Sequence, residues 1–302
     1  MELHQLQILR ELGALGSVAA VADALAVTPS AVSQHLSALQ RGFRTPLTRK
    51  EGRRLVLTAA GETLARAGSD AIDAMAAARS ALDEFEGDAS GVVTISGFHS
   101  AGQALFGGLV RELSGLEAAP TVQLTDEDVA QSEFPALTAR YDLVLAHRME
   151  HSEPWPQGVI RSLTLVREPL DVAVAASHPL AARTSLRPSD IADSPWVTSR
   201  IGYSPDDVLR AVSAVTGRAV EVRHRINDYG AVSAVVAAGE VLGMLPRYTS
   251  RSVDESDIVR LPLRGVSTHR MIDVLARPEN LRRRAVRVVV DALERVMTRL
   301  KE

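Results

Sequence analysis

Residues 17–40 read SVAAVADALAVTPSAVSQHLSALQ, and their spacing predicts two short helices joined by a tight turn. Ser17 is placed to cap the first helix. Val18, Val21, Ala22 and Leu25 recur at i, i+3, i+4 and i+7, the period of one buried helical face. Thr28 and Pro29 mark a second start: a hydroxyl to accept an orphan N–H, then proline at the first helical position, where its missing donor costs nothing. Ala31, Val32, Leu36 and Leu39 supply a buried stripe, while Ser30, Ser33, Gln34 and Ser37 face elsewhere with short hydrogen-bonding side chains. A packed helix followed by one with a polar, bulk-free face meets what entry into a DNA major groove requires. The competing reading is a generic helical hairpin, so the flanks decide.

Residues 41–54, RGFRTPLTRKEGRR, carry Arg41, Arg44, Arg49, Lys50, Arg53 and Arg54 against the single acid Glu51, in a chain whose formal net charge is −3. The cationic block is therefore a local choice. Glu51-Gly52 reads as a turn and Arg54–Leu57 as a short strand, which makes a β-wing with arginines at its tip. Such a wing neutralises phosphates, giving affinity and register but little sequence information. Thr58 caps a helix running to about Glu86. Along this helix, roughly 43 Å long, Leu64, Gly68, Ala71, Met75, Ala78, Leu82 and Phe85 alternate in steps of four and three. A seam of that regularity, with no obvious partner in its own chain, points to pairing with a second copy.

Composition is that of an ordinary globular chain: 302 residues, 46% hydrophobic, few aromatics and no cysteine. The length predicts two or three domains. The missing cysteine excludes a disulfide scaffold, a thiolate metal site and a cysteine nucleophile, and fits the cytoplasm. The N-terminal MELHQLQILRE has charge and glutamine where a signal peptide needs an apolar run, and the longest uncharged run, 89–110, is too rich in glycine and polar residues to span a membrane.

Asp88-Ala89-Ser90-Gly91 is a small polar joint. Beyond it strands are expected at Val92–Ser96, Thr121–Thr125 and Leu143–Ala146, a crossover strand at Val159–Val166, and a second set opening at Val172–Ala175. Helices near 101–114, 205–216 and 230–238, short strands around 220–225, 242–245 and 258–261, a return strand at Ile272–Leu275 and a helix over about 281–300 complete the chain. This rhythm, with an excursion and a return, predicts two α/β lobes with a cleft between them. Ligands bind in such sheets where strands end and helix N-termini point inward. Ser100 follows the first strand and opens a helix, so its hydroxyl and the amides after it suit a carboxylate or similar anion. Gln103 lies one turn on, His147 just past the end of its strand, Thr198 and Arg200 after the apolar Trp196-Val197, and Asn227 before a helix. These six are the candidate effector residues, unless Ser100 and Thr198 are merely caps.

At this point the chain resembles the LysR-type transcriptional regulators. The likeness rests on MELHQLQILRELGALGSVAAVADALAVTPSAVSQHLSALQ, on the wing GRRLVLTAAGETL, and later on EPLDVAVAASHPLA and VVAAGEVLGMLP, in the family's order over nearly the full length. The chain departs from the usual pattern at Pro29-Ser30, Gln34 and Thr48. The resemblance implies a winged helix-turn-helix plus a long linker helix, followed by a bilobed α/β effector domain similar to periplasmic binding proteins, and assembly into dimers and tetramers.

Two near-motifs point toward enzymes. GFHSAG at 97–102 places a serine between strand and helix but has Phe98 where a nucleophile elbow needs glycine. HRMEH at 147–151 matches a zinc signature that needs a helix, whereas a strand ends here and Pro154 and Pro156 follow. The expectation is therefore a regulator and not an enzyme, without cofactor or metal. The run Arg282-Arg283-Arg284 with Arg287 reads as a solvated helix face.

The resulting expectation has residues 1–58 as DNA-binding domain, 59–88 as linker and dimerisation helix, and 89–302 as effector domain, with one lobe at about 91–162 and 268–302 and the other at about 163–267. Ser30, Ser33, Gln34, His35 and Ser37 would meet the bases, Thr28 would belong to the same DNA-binding face, and Arg49, Lys50, Arg53 and Arg54 would meet the backbone. The partners are double-stranded DNA of approximate two-fold symmetry, a small-molecule effector, further copies of the chain and RNA polymerase. The alternative is a metabolite-sensing protein acting through a protein partner.

Overall fold

The computed structural model describes all residues except 53, 87–88, 157–158 and 251–255, and the side chains of 83 and 86. The chain opens with α1 (Leu3–Leu15), α2 (Val18–Ala24) and α3 (Pro29–Gln40), then the hairpin β1 (Thr48–Glu51) and β2 (Arg54–Leu57). Ser17 Oγ accepts from Ala20 N at 3.1 Å and Thr28 Oγ1 from Ala31 N at 3.2 Å, so both expected caps form. Helix α1 is not among the elements assigned from sequence. It ends where Gly16 turns left-handed, at φ +70, and returns its N–H to the Leu12 carbonyl, a conformation that glycine adopts without penalty. Ile8, Leu9 and Leu12 of α1 pack with Val21, Val32, Leu36 and Leu39 into one core.

Helix α4 (Ala59–Glu86) is capped by Thr58, whose Oγ1 accepts from Gly61 N at 3.1 Å. Its 28 residues make a rod of about 42 Å. The first third of the expected seam is not free. Leu64 packs on the α1–α3 core, and Gly68 sits so close to Leu6 that a Cβ would come within 3.0 Å of that side chain. From Ala71 onward the seam is exposed, with Met75, Leu82 and Phe85 open to solvent.

The second half builds β3 (Val92–Gly97), α5 (His99–Ser114), β4 (Thr121–Asp126), α6 (Phe134–Leu137), β5 (Leu143–Met149), β6 (Arg161–Ala175), α7 (Pro188–Ile191), β7 (Trp196–Thr198), α8 (Ser204–Thr216), β8 (Val222–Arg225), α9 (Tyr229–Ala237), β9 (Gly243–Pro246), β10 (Ile258–Leu261), β11 (His269–Ala276), α10 (Pro278–Arg282) and α11 (Arg284–Lys301). The main sheet runs β10-β6-β11-β5-β3-β4, with β9 also on β6. Strands β3, β4 and β5 are parallel, whereas β11 is antiparallel to both β5 and β6. Among the described residues three apolar cores result, one under α5 and α11 around Ile95, Leu145 and Val289, one around Trp196, Val208 and Leu242, and a smaller one around Val197, Val232 and Val236. This is the two-lobed mixed α/β architecture the alternation predicted.

Three local expectations are corrected. The crossover strand and the strand opening the second set are one continuous strand: β6 pairs with β11 up to Pro169 and with β9 and β10 from Leu170 onward. Apolar residues on both sides of the Arg167-Glu168 break disguised its continuity. β5 runs three residues beyond Ala146, so His147 lies inside it. The Arg282–Arg287 run keeps exposed side chains but is more than a solvated face. Arg282 makes a two-pronged pair with Asp73 of α4 at 3.1 and 3.0 Å, Arg283 pairs with Asp142 at 2.7 Å, and Arg287 pairs with Glu84. The run clamps the linker helix onto its own effector domain, and the backbone bends to ψ 127 at Arg283 to separate α10 from α11.

Candidate DNA-binding face and effector cleft

On α3 the residues Ser30, Ser33, Gln34 and Ser37 stand at i, i+3, i+4 and i+7, and all four are exposed. They form one polar stripe opposite the buried Val32, Leu36 and Leu39. Thr28 is exposed but its hydroxyl is engaged as cap, and Ser33 Oγ donates to the Pro29 carbonyl at 2.9 Å. His35 is half-buried, edge-on to His4 of α1 at 4.7 Å, which sets it at the margin of the stripe. In the wing, Arg49, Lys50 and Arg54 are exposed. Arg49 Nη1 reaches Glu51 Oε1 at 3.0 Å, and Glu51 stands directly across from Arg54. Arg53 lies outside the described residues. The left-handed turn at Gly52 (φ +61) lets the hairpin reverse next to these charges.

The cleft forms where the parallel strands β3 and β4 end and α5 begins. Ser100 is buried in the first turn of α5 and accepts from Arg270 Nη2 at 3.2 Å. Arg270, on β11, is the hub that sequence reasoning missed. Its guanidinium is 1% exposed, pairs with Glu168 of β6 at 2.8 Å, donates to Thr249 Oγ1 at 2.6 Å, and lies over the Phe98 and Tyr229 rings. Glu168 is completely buried and also accepts the backbone N–H groups of Tyr248 and Thr249, both at 2.7 Å. A buried ion pair persists only when its remaining donors and acceptors are met, and this one is nearly saturated.

His147 is buried against Phe98 and Phe134, with Nδ1 3.1 Å from Ser204 Oγ across the cleft. Burial, and then the nearby Arg270 charge, push its pKa down to about 3, so the ring is neutral. His99 bridges the lobes, with Nδ1 3.2 Å from Asp126 and Nε2 2.7 Å from Asp228; Gln103 is exposed at the rim and touches His99 at 3.0 Å. Burial pulls the His99 pKa down, but the hydrogen bonds to the two carboxylates outweigh it and the pKa is raised. Arg200 reaches Asp128 at 3.1 Å and stacks over Tyr203; Asn227 donates to Asp128 at 2.8 Å.

Of the six candidate effector residues, Ser100, His147 and Asn227 line the cleft with Phe98, His99, Asp128, Ser199, Tyr203 and Arg270. Arg200 and Gln103 sit at its edge. Thr198 is buried at the end of β7, and its neighbour Ser199 is the residue that lines the space. About 20 Å³ remains, room for roughly one water. The lobes are thus drawn together by side chains. HRMEH is strand and turn, so its two imidazoles do not share a helix face, and among the described residues no cluster of three metal-binding groups exists.

The profile of the LysR substrate binding domain matches residues 86–298, and that of the bacterial regulatory helix-turn-helix protein, lysR family, matches residues 3–62. The small neutral protease regulatory protein of Streptomyces coelicolor is 31% identical over 248 residues, covering 80% of this chain and 72% of that protein. Full-length OxyR of Pseudomonas aeruginosa superposes with a TM-score of 0.67 at 16% identity, over 97% of this chain and 94% of that one. CbnR complexed with its target DNA superposes with a TM-score of 0.53 at 19% identity, over 98% and 100%. The first is named as a regulatory protein, and the two solved structures share this chain's fold. By its sequence over both domains, the chain belongs to the LysR family of helix-turn-helix transcription regulators, which bind DNA and carry an effector-binding domain.

Proposed function

We propose that this regulator reads a half-site through Ser30, Ser33, Gln34 and Ser37, with Thr28 and His35 at the margins of the contact, while the wing holds phosphates through Arg49, Lys50 and Arg54. The observation that carries this reading is the exposed polar stripe on α3 beside a cationic wing. Serine and glutamine reach base edges without blocking close approach of the helix.

Residues 1–58, 59–88 and 89–302 are the working units. Two chains pair along α4 from Ala71 to Phe85, where apolar side chains stand in the open. Their half-sites therefore follow two-fold symmetry at helical-turn spacing. Effector-domain contacts extend the dimer to a tetramer. A small-molecule effector in the cleft exchanges the His99–Asp228 and Arg200–Asp128 bridges for its own contacts. It must bind the open and closed lobes with different affinity to shift anything. RNA polymerase is the remaining partner we assign. Among the described residues no helix is long and apolar enough to cross a membrane, and a DNA reader works where the chromosome is, in the cytoplasm.

A gel shift on the DNA upstream of its own gene, with sedimentation of the free protein, tests this reading. Retarded fragment and a species of two or four chains are expected. A single chain indifferent to the fragment at low salt overturns it.

A further inference from the structure

A second cavity, of about 370 Å³, shares no lining residue with the cleft and lies where α1, α4 and the first lobe meet. Its walls are mostly apolar: Leu57 and Ala65 on the DNA-binding side, Pro135, Ala136 and Ile160 on the effector side. Three guanidiniums also line it: Arg10 of α1 and Arg277 just before α10, only 5% and 2% exposed, and Arg66 of α4, which is exposed like the nearby Glu62.

Arg10 and Arg277 belong to a buried four-membered network that ties the two domains together. Arg10 pairs with Glu11 at 2.9 Å and with Glu279 at 2.7 Å, and Arg277 pairs with Glu11 at 2.6 Å. Two cations and two carboxylates balance in charge, but not in hydrogen bonds. Arg10 Nη1, Arg277 Nε and Arg277 Nη1 are buried without a partner among the described residues. Glu279 Oε2 is also unpartnered, yet Glu279 does not line this cavity. Buried donors left unmatched are costly, most of all on a charged group. Burial accordingly pulls the Arg277 pKa down against the pull of Glu11.

An acceptor-only group satisfies this arrangement, and a planar carboxylate matches the fork of a guanidinium. We propose that the cavity binds a small carboxylic acid with an apolar body, its carboxylate on Arg277 and Arg10 and its hydrocarbon among Ala65, Ala136 and Ile160. The site is separate from the cleft. A ligand there touches the DNA-reading unit, the linker helix and the effector domain at once, and so fixes their relative placement.

The test titrates the full chain with sodium octanoate and with octanamide, its uncharged counterpart, by calorimetry. Octanoate is expected to bind at least about tenfold more tightly, the margin of a lost charge-assisted bond. Arg277→Gln removes that margin. Ala136→Trp fills the cavity from α6 without touching the network and abolishes binding; it decides the matter alone if Arg277→Gln does not fold. No octanoate binding, equal binding of the two compounds, or octanoate binding unchanged in Ala136→Trp would each overturn the proposal. Retardation of DNA measured on the same samples without acid tests the regulator reading independently.

Discussion

Replacing Arg49 and Arg54 together by alanine removes two guanidiniums from the outer face of the wing and leaves the polar stripe of α3 untouched. Each phosphate contact releases counterions worth about 0.9 in the slope of log affinity against log salt. Two contacts per chain in a dimer make four, so the slope becomes shallower by up to about 3.6. Between roughly 50 and 200 mM salt that corresponds to about a hundredfold of salt sensitivity removed. The true change lies below this ceiling, because Arg49 is already shared with Glu51 at 3.0 Å. An exposed pair of that kind holds its partner by only about 0.2–1 kcal/mol, so most of the charge remains available. The same geometry gives a companion of opposite sign: Glu51→Gln frees Arg49 and removes the carboxylate facing Arg54, and should steepen the slope and tighten binding. Fluorescence anisotropy across a salt series reads both, on an operator fragment and on an unrelated duplex. Losses of similar size on the two duplexes are expected. An unchanged slope, or a loss confined to the operator, would refute the assignment of the wing to phosphates.

Gln34→Ala should relax preference at one base pair by about 1–3 kcal/mol in a binding-site selection, and an unaltered motif removes Gln34 from the reading face. His99, with its raised pKa, holds the lobes together most firmly below its ordinary value of 6.5, and that stabilisation fades as pH rises through the raised value. Its side chain is 36% exposed, so the bridge is worth at most about 1 kcal/mol. His99→Gln should therefore lower stability below about pH 6.5 and converge on the wild type once the pH has risen past the raised value; parallel denaturation profiles would count against the bridge. Glu168→Gln strands the buried Arg270 and should cost about 3–5 kcal/mol in urea unfolding, and a near-normal midpoint would show that the pair is not what holds β6 to β11.

Where local rules act alone, the sequence was easily read. The caps Ser17 and Thr28, the proline at 29 and the apolar period of α3 each depend on neighbours within one helical turn, and each takes its expected place. The strands β3, β4 and β10 were visible as short apolar runs for the same reason. What escaped needs partners distant in sequence. Arg282, Arg283 and Arg287 look solvated until Asp73, Asp142 and Glu84 arrive from elsewhere in the chain. Leu64 and Gly68 look like part of a free seam until α1 covers them. In the cleft, Ser100 and Asn227 were legible from their places at or just before helix starts, while Arg270 and Glu168 meet across 102 positions, and Phe98, His99 and Tyr203 gave no periodic signal.

Strand β6 carries 15 residues, Arg161–Ala175, and belongs to both lobes. Two bodies that share an unbroken beam cannot swing apart like covers on a loose spine. Motion between them must come from torsion about Glu168–Leu170, where the partners of β6 change from β11 to β9. That is also where Glu168 anchors Arg270, so a small molecule touching the guanidinium would be felt first as a twist in the beam. The signal from ligand to chromosome would then be a twist carried along the α4 rod rather than a wide opening.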